Sequence, residues 1–162
     1  VEAVAELSER IPEVSVYLVG DGPKLSHIKR LVKKYGISDV FEFVGRVEHN
    51  ELPKYYRSAD IFTLTSQTEN HPIAMMEAMS CATPPVVPSI GWIPNMITNG
   101  KDGLILENRS PSEFAISWLN LLQNPSRIER LGSNARKTAI ADFQWETKAE
   151  QLLQIFQNMS AK

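Results

Sequence analysis

The sequence predicts an α/β fold of the doubly wound, Rossmann-like kind, with a parallel sheet covered by helices on both faces. Short runs of β-branched and aromatic residues alternate with longer amphipathic stretches along the chain, and the links between them are short. The 162 residues are 43% hydrophobic, which suffices for one core in one domain.

The elements follow in order. "VEAVAELSERIPE" opens the chain in a helical pattern, about residues 1–11. "SVYLVG" (15–20) reads as the first strand, and a helix follows over about 22–36. "VFEFVG" (40–45) and "DIFTLTS" (60–66) are the next strands, separated by a helix at about 50–58. A helix at 72–82 leads to "PVVPS" (85–89), and one at 92–98 to the weaker strand "GLILE" (103–107). Helices at about 111–123, 125–142 and 146–159 close the chain. No internal repeat or long linker interrupts this pattern.

Composition narrows the function. A formal net charge of −2 without a basic run argues against a nucleic-acid surface. A single cysteine, Cys81, excludes an internal disulfide and every multi-cysteine metal site. No apolar run reaches the roughly 20 residues of a membrane span, so a cytoplasmic location without a transmembrane segment is expected. The opening Val1, inside a helical pattern, suggests an excised fragment.

In doubly wound sheets, ligands bind outside the carboxyl ends of the strands. The loops to read are therefore "GDGP" (20–23), "GRVEHN" (45–50), "SQTENHP" (66–72) and "SIGWIPN" (89–95). Pro72 suits the first turn of a helix, which makes Asn70 or His71 the expected N-cap. The helix it opens is apolar nearly all round, the mark of burial, yet it carries Glu77. Glu69 lies just outside it. Between the two carboxylates stands a helix N-terminus with free N–H groups and a partial positive charge. That arrangement suits an anion with hydroxyl-rich groups at both ends, such as a nucleotide-sugar. A basic partner for Glu77 and a solvated Glu69 would explain the same spacing.

The segment "SQTENHPIAMMEAMSCATPPVVPSIGWIP" resembles the signature of retaining glycosyltransferases with the GT-B fold, group 1 glycosyltransferase-like. Two glutamates separated by seven residues, Glu69 and Glu77, precede Ala78, Met79, Cys81, Thr83 and Pro84. "LVGDGP" (18–23), "FEFVGRVEHNELPKYYRSADIF" (41–62), "NGKDGLIL" (99–106), "RIERLGSNARK" (127–137) and "FQWE" (143–146) follow the family's order. The likeness covers nearly the whole chain. It implies the C-terminal half of a GT-B fold, residues 1–162 forming one nucleotide-sugar donor-binding domain. The acceptor domain and the first strand of this domain, with an Arg and a Lys for the diphosphate, would lie upstream.

The resemblance also implies roles. Glu77 binds the ribose hydroxyls, and Glu69, the catalytic-site glutamate, binds hydroxyls of the transferred sugar. Backbone around Asn70, His71, Pro72, Ile73 and Ala74 approaches sugar and diphosphate. Gly20, Asp21 and Gly22, with Gly45, Arg46 and Val47, shape the base pocket. The implied reaction moves a hexose from a nucleoside-diphosphate sugar to an acceptor with retention, with no metal or cofactor. Peripheral membrane contact would belong to the full-length protein, and this fragment alone would be inactive. A nucleotide-sugar epimerase and a non-catalytic nucleotide-sugar-binding homologue are the alternatives. Asn70-His71-Pro72 stands where Gly-Phe-Gly is common, and Ala82, Trp92 and Asn95 also depart from the pattern.

Of the other candidates, His71 reads as a helix-entry residue rather than a general base. His27 and His49 read as structural, and Cys81, Met75, Met76, Met79, Trp118 and Trp145 as packing. Trp92, on a ligand-edge loop, could stack on a base or sugar or shield the cleft.

Overall fold

The computed structural model describes residues 1–160, apart from the side chains of residues 145–147, 151 and 160. The packing reading of Trp145 lies outside the described side chains. Among the described residues five strands form: β1 (Val16–Val19), β2 (Phe41–Gly45), β3 (Phe62–Thr63), β4 (Pro85–Pro88) and β5 (Leu104–Leu106). The helices are α1 (Glu2–Ser8), α2 (Leu25–Lys34), α3 (Leu52–Ser58), α4 (Ile73–Ser80), α5 (Ile93–Met96), α6 (Pro111–Leu122), α7 (Pro125–Asp142) and α8 (Trp145–Ser160). Short 3₁₀ turns at Ser38–Val40 and His49–Glu51 precede β2 and α3.

Every strand pair is parallel, in the register Val16↔Phe41, Phe62↔Pro85 and Val86↔Leu104. The single expected sheet is divided, with β1 beside β2 and, separately, the order β3-β4-β5. Periodicity locates strands but does not say which edges pair. Among the described residues, β1 and β3 are each hydrogen-bonded along one edge only. β3 is also shorter than its sequence run, and Thr63 Oγ1 donates to Val86 O at 2.8 Å beside the ladder.

Strand alternation feeds two cores. Val86 and Leu106 face a cluster built with Ala3, Leu7, Phe114 and Leu121, whereas Val87 faces Met75, Met79, Ile93 and Ala139. Successive residues of a strand point to opposite faces, so β4 is covered on both sides and all four of its residues are buried. α1 packs along α6 and α4 along α7. The last helices start where the sequence supplies caps. Ser110 Oγ accepts from Glu113 N at 3.2 Å and Asn124 Oδ1 from Arg127 N at 3.1 Å, each before a proline.

Two features lock the frame. Asp102, 2% exposed, accepts from Thr98 N at 2.6 Å and from Thr138 Oγ1 at 2.8 Å, tying the turn before β5 to α7. Ala82 takes φ 63 after α4, and Gly132 of α7 lies so close that a Cβ there would sit 2.0 Å from Ala82 O.

Candidate functional site

In this parallel topology the segments after β1, β2, β3, β4 and β5 emerge at one end, and five contacts tie them together. Gly20 N donates to Gly45 O at 2.7 Å, joining the first two. Both glycines take positive φ, 116° and 77°, a region that side chains disfavour. Arg109, just after β5, donates to Ser66 O at 2.9 Å. The Gly91 backbone abuts that of Glu69, since a Cβ on Gly91 would fall 1.6 Å from Glu69 O. The rings of His71 and Trp92 stack at 6.4 Å and 21°. Glu77 reaches the turn after β2 through His49.

α4 begins at Ile73, with Pro72 as its N-cap (φ −68, ψ 102), not Asn70 or His71. The residue before a proline is pushed out of the helical region, and Pro72 itself stays extended. Its side chain cannot accept a bond, so the helix has no side-chain cap. Pro72 O takes Met75 N and Met76 N, at 3.0 and 3.3 Å. The N–H groups of Ile73 and Ala74 are left without an acceptor among the described residues. The expected all-round burial of this helix is also corrected. Met75, Ala78 and Met79 are buried, but Ile73 is 66% exposed. The first turn opens on solvent at the loop end of the sheet.

The two carboxylates differ. Glu69 is half-buried, and among the described residues no side chain pairs with it. Glu77, with 24% of its side chain exposed, accepts from Tyr56 Oη at 2.8 Å through Oε2 and pairs with His49 Nδ1 at 3.4 Å through Oε1. Its partners are therefore a phenol and an exposed imidazole, so the basic partner that the sequence left open for Glu77 is His49. Burial, then the Glu77 hydrogen bond, raises the Tyr56 phenol well above its ordinary range, so it donates at neutral pH. Tyr56 also packs edge-on against Phe62, and its carbonyl accepts from Thr83 Oγ1.

The other expected residues are placed as follows. Asp21 accepts from Gly22 N at 2.7 Å within its own loop. Arg46 and Asn70 are exposed, and Val47 is half-buried. His27 is exposed on α2, and Cys81 is half-buried at the end of α4 rather than in the core. Met76 is half-buried, whereas Trp118 is core, beside Phe114. His49 is not merely structural, because it touches Glu77. Tyr56 and Arg109 escaped sequence reasoning. Tyr56 lies in the last turn of α3, outside the four loops read for ligand contact, and carries no spacing signal. Among the described residues no group of three or more His, Cys, Asp or Glu could hold a metal.

Parallel strands covered by helices, with an uncapped helix N-terminus between two carboxylates at the strands' carboxyl ends, define an α/β domain of the Rossmann-like kind. The comparisons place it. The sequence model of the family described as "Glycosyl transferases group 1" matches residues 1–138, and the chain belongs to that family. It is similar to a D-inositol 3-phosphate glycosyltransferase of Catenulispora acidiphila, 33% identical over 154 residues. That match covers 91% of this chain and 36% of the relative. A GDP-mannose-dependent alpha-(1-6)-phosphatidylinositol monomannoside mannosyltransferase of Mycolicibacterium smegmatis is 26% identical, with 96% and 42% covered. The structure of sucrose-phosphate synthase from Thermosynechococcus elongatus superposes with a TM-score of 0.86 at 28% identity, covering 99% of this chain and 42% of that one. The chain thus spans about two fifths of the proteins it resembles. The Rossmann-like α/β fold of the C-terminal half of a GT-B fold, expected from the sequence, is the fold found.

Proposed function

We propose that this chain is the donor-binding domain of a retaining hexosyltransferase, whose full-length form moves a sugar from a nucleoside-diphosphate sugar to an acceptor. The observation that carries the reading is the uncapped first turn of α4 between Glu69 and Glu77. The free N–H groups of Ile73 and Ala74, with the helix dipole, would meet the diphosphate. Pro72 contributes no donor, so these two amides stand for the longer set of the family. Glu77 would accept the ribose hydroxyls, and Glu69 would hold the transferred sugar in the catalytic site. A carboxylate accepting hydroxyl bonds makes a charge-assisted contact. Asn70 and His71 would line the sugar side, while Gly20, Asp21, Gly22, Gly45, Arg46 and Val47 would line the base pocket.

The relatives are named as transferases, one of them dependent on GDP-mannose, and this supports a transferase over an epimerase or a non-catalytic homologue. The reading includes a further strand in this domain, and the greater length of the relatives supports a separate acceptor domain. Turnover needs the orientation and charge stabilisation of a two-domain cleft, so residues 1–162 alone would bind donor without turning it over. The reading includes no resident metal or cofactor, as the family resemblance implies, and a cytoplasmic setting. No described helix is long and apolar enough to cross a membrane.

The test is a thermal-shift panel of UDP, GDP, ADP and their hexose conjugates on the chain and on Glu77→Ala. At ten times Kd, binding stabilises by about 1.4 kcal/mol, roughly 3–6 °C for a domain of this size. A shift selective for one base and absent in Glu77→Ala is expected. Equal shifts in both proteins would refute the ribose assignment.

A further inference from the structure

Glu77 is already engaged before any ligand arrives, and its two partners are unlike. Tyr56 Oη lies 2.8 Å from Oε2 and is half-buried, with its ring against Phe62 and its carbonyl held by Thr83. His49 Nδ1 lies 3.4 Å from Oε1 on a side chain that is 84% exposed. An ionised carboxylate offers about four lone-pair positions and accepts only. The phenol takes one position on Oε2. The imidazole occupies the approach to Oε1 by a long contact of the exposed kind, which contributes little.

From this asymmetry we infer that Tyr56 is a positioning residue for the ribose-binding carboxylate, and that His49 is a placeholder displaced by the incoming vicinal diol. The inference rests on the proposed role of Glu77 and adds how that group is made ready. Tyr56 sits on α3 and Glu77 on α4, so the hydrogen bond fixes the carboxylate plane across two elements. With one Oε2 position taken, one position remains on Oε2 and two on Oε1, so each oxygen can still accept one hydroxyl of a cis-diol. Without the anchor, the Glu77 side chain would sample several rotamers and lose entropy on binding. His49 leaves at little cost, and its departure opens Oε1. Tyr56 stays, because its phenol would otherwise be left partly buried without a partner.

The experiment titrates the chain with UDP, GDP and ADP and with their 2′-deoxy and 2′,3′-dideoxy counterparts, by calorimetry. It compares the parent with Tyr56→Phe, His49→Gln and Glu77→Gln. Tyr56→Phe keeps the ring and its contact with Phe62, and a thermal melt verifies its fold. The parent should prefer ribo- over dideoxynucleotide. Tyr56→Phe should weaken ribonucleotide binding about tenfold, the cost of ordering a Glu77 side chain that the anchor no longer holds, while dideoxynucleotide binding is unchanged. His49→Gln should bind the ribonucleotide as tightly as the parent or more tightly. If Tyr56→Phe keeps the parent's ribose preference while Glu77→Gln loses it, the positioning role is wrong and the ribose site stands. A tenfold loss in His49→Gln would overturn the placeholder role. If Glu77→Gln also keeps the preference, or no nucleotide binds, the ribose reading itself fails.

Discussion

Consider Gly91→Ala. Gly91 takes φ 54, and a Cβ there would lie 1.6 Å from Glu69 O and 2.8 Å from Glu69 C. Both are backbone atoms and cannot rotate aside. An alanine in the left-handed region costs about 1–2 kcal/mol, and overlap in a packed setting costs typically 1–3 kcal/mol more. The stiffer unfolded chain returns about 0.4–1 kcal/mol. The net loss is about 1–5 kcal/mol, or roughly 2–20 °C in Tm. Two controls separate the contributions. Gly45 shares the positive φ, at 77°, but has open space around its Cβ position, so Gly45→Ala carries only the conformational cost. Gly22 has open space and no positive φ, so Gly22→Ala should stay within about 0.5 kcal/mol of the parent. Urea unfolding of the three variants gives the order. If Gly91→Ala were no more destabilising than Gly45→Ala, the loops carrying Glu69 and Trp92 would not be pressed together, and the site's rigidity would be misread.

Other outcomes follow from the same geometry. Ala82→Gly relieves φ 63 and should gain about 0.5–1 kcal/mol in urea melts; a loss would show that the turn tolerates the side chain. Asp102→Ala leaves Thr98 N and Thr138 Oγ1 without their shared acceptor and should cost about 2–3 kcal/mol by the same assay. Tyr56 has a raised folded pKa, so the folded state keeps a proton that the unfolded chain loses above about pH 10. Its contribution is full below that pH and declines as pH rises further. The parent should thus lose stability faster than Tyr56→Phe as pH rises above about 10, and parallel curves there would exclude this linkage.

Much of the fold was legible because strand and helix periodicities differ and the links are short. Val86 and Val87 illustrate why the strand identity was clear, each feeding a separate core. The division of the sheet was not legible, since nothing in "SVYLVG" or "DIFTLTS" says which edge finds a partner. The site was half legible. Glu77 stood out as a carboxylate on an apolar helix, and Glu69 by its spacing from it. Its Tyr56 partner comes from 21 residues earlier through a contact between two helices, and such contacts leave no local pattern. The N-cap was misplaced because Pro72 satisfies the sequence rule for a first helical position equally well.

The central claim is that nucleotide binds at the carboxyl ends of the strands, on the first turn of α4. Backbone amide chemical shifts, mapped while UDP, GDP or ADP is added, test it most directly. The account predicts shifts at Gly20, Gly45, His49, Ile73 and Ala74, with Tyr35, Gly36, Lys101 and Gly103 at the opposite end of the sheets unmoved. Shifts centred on that opposite end, or none at Ile73 and Ala74 with saturating nucleotide, would contradict it.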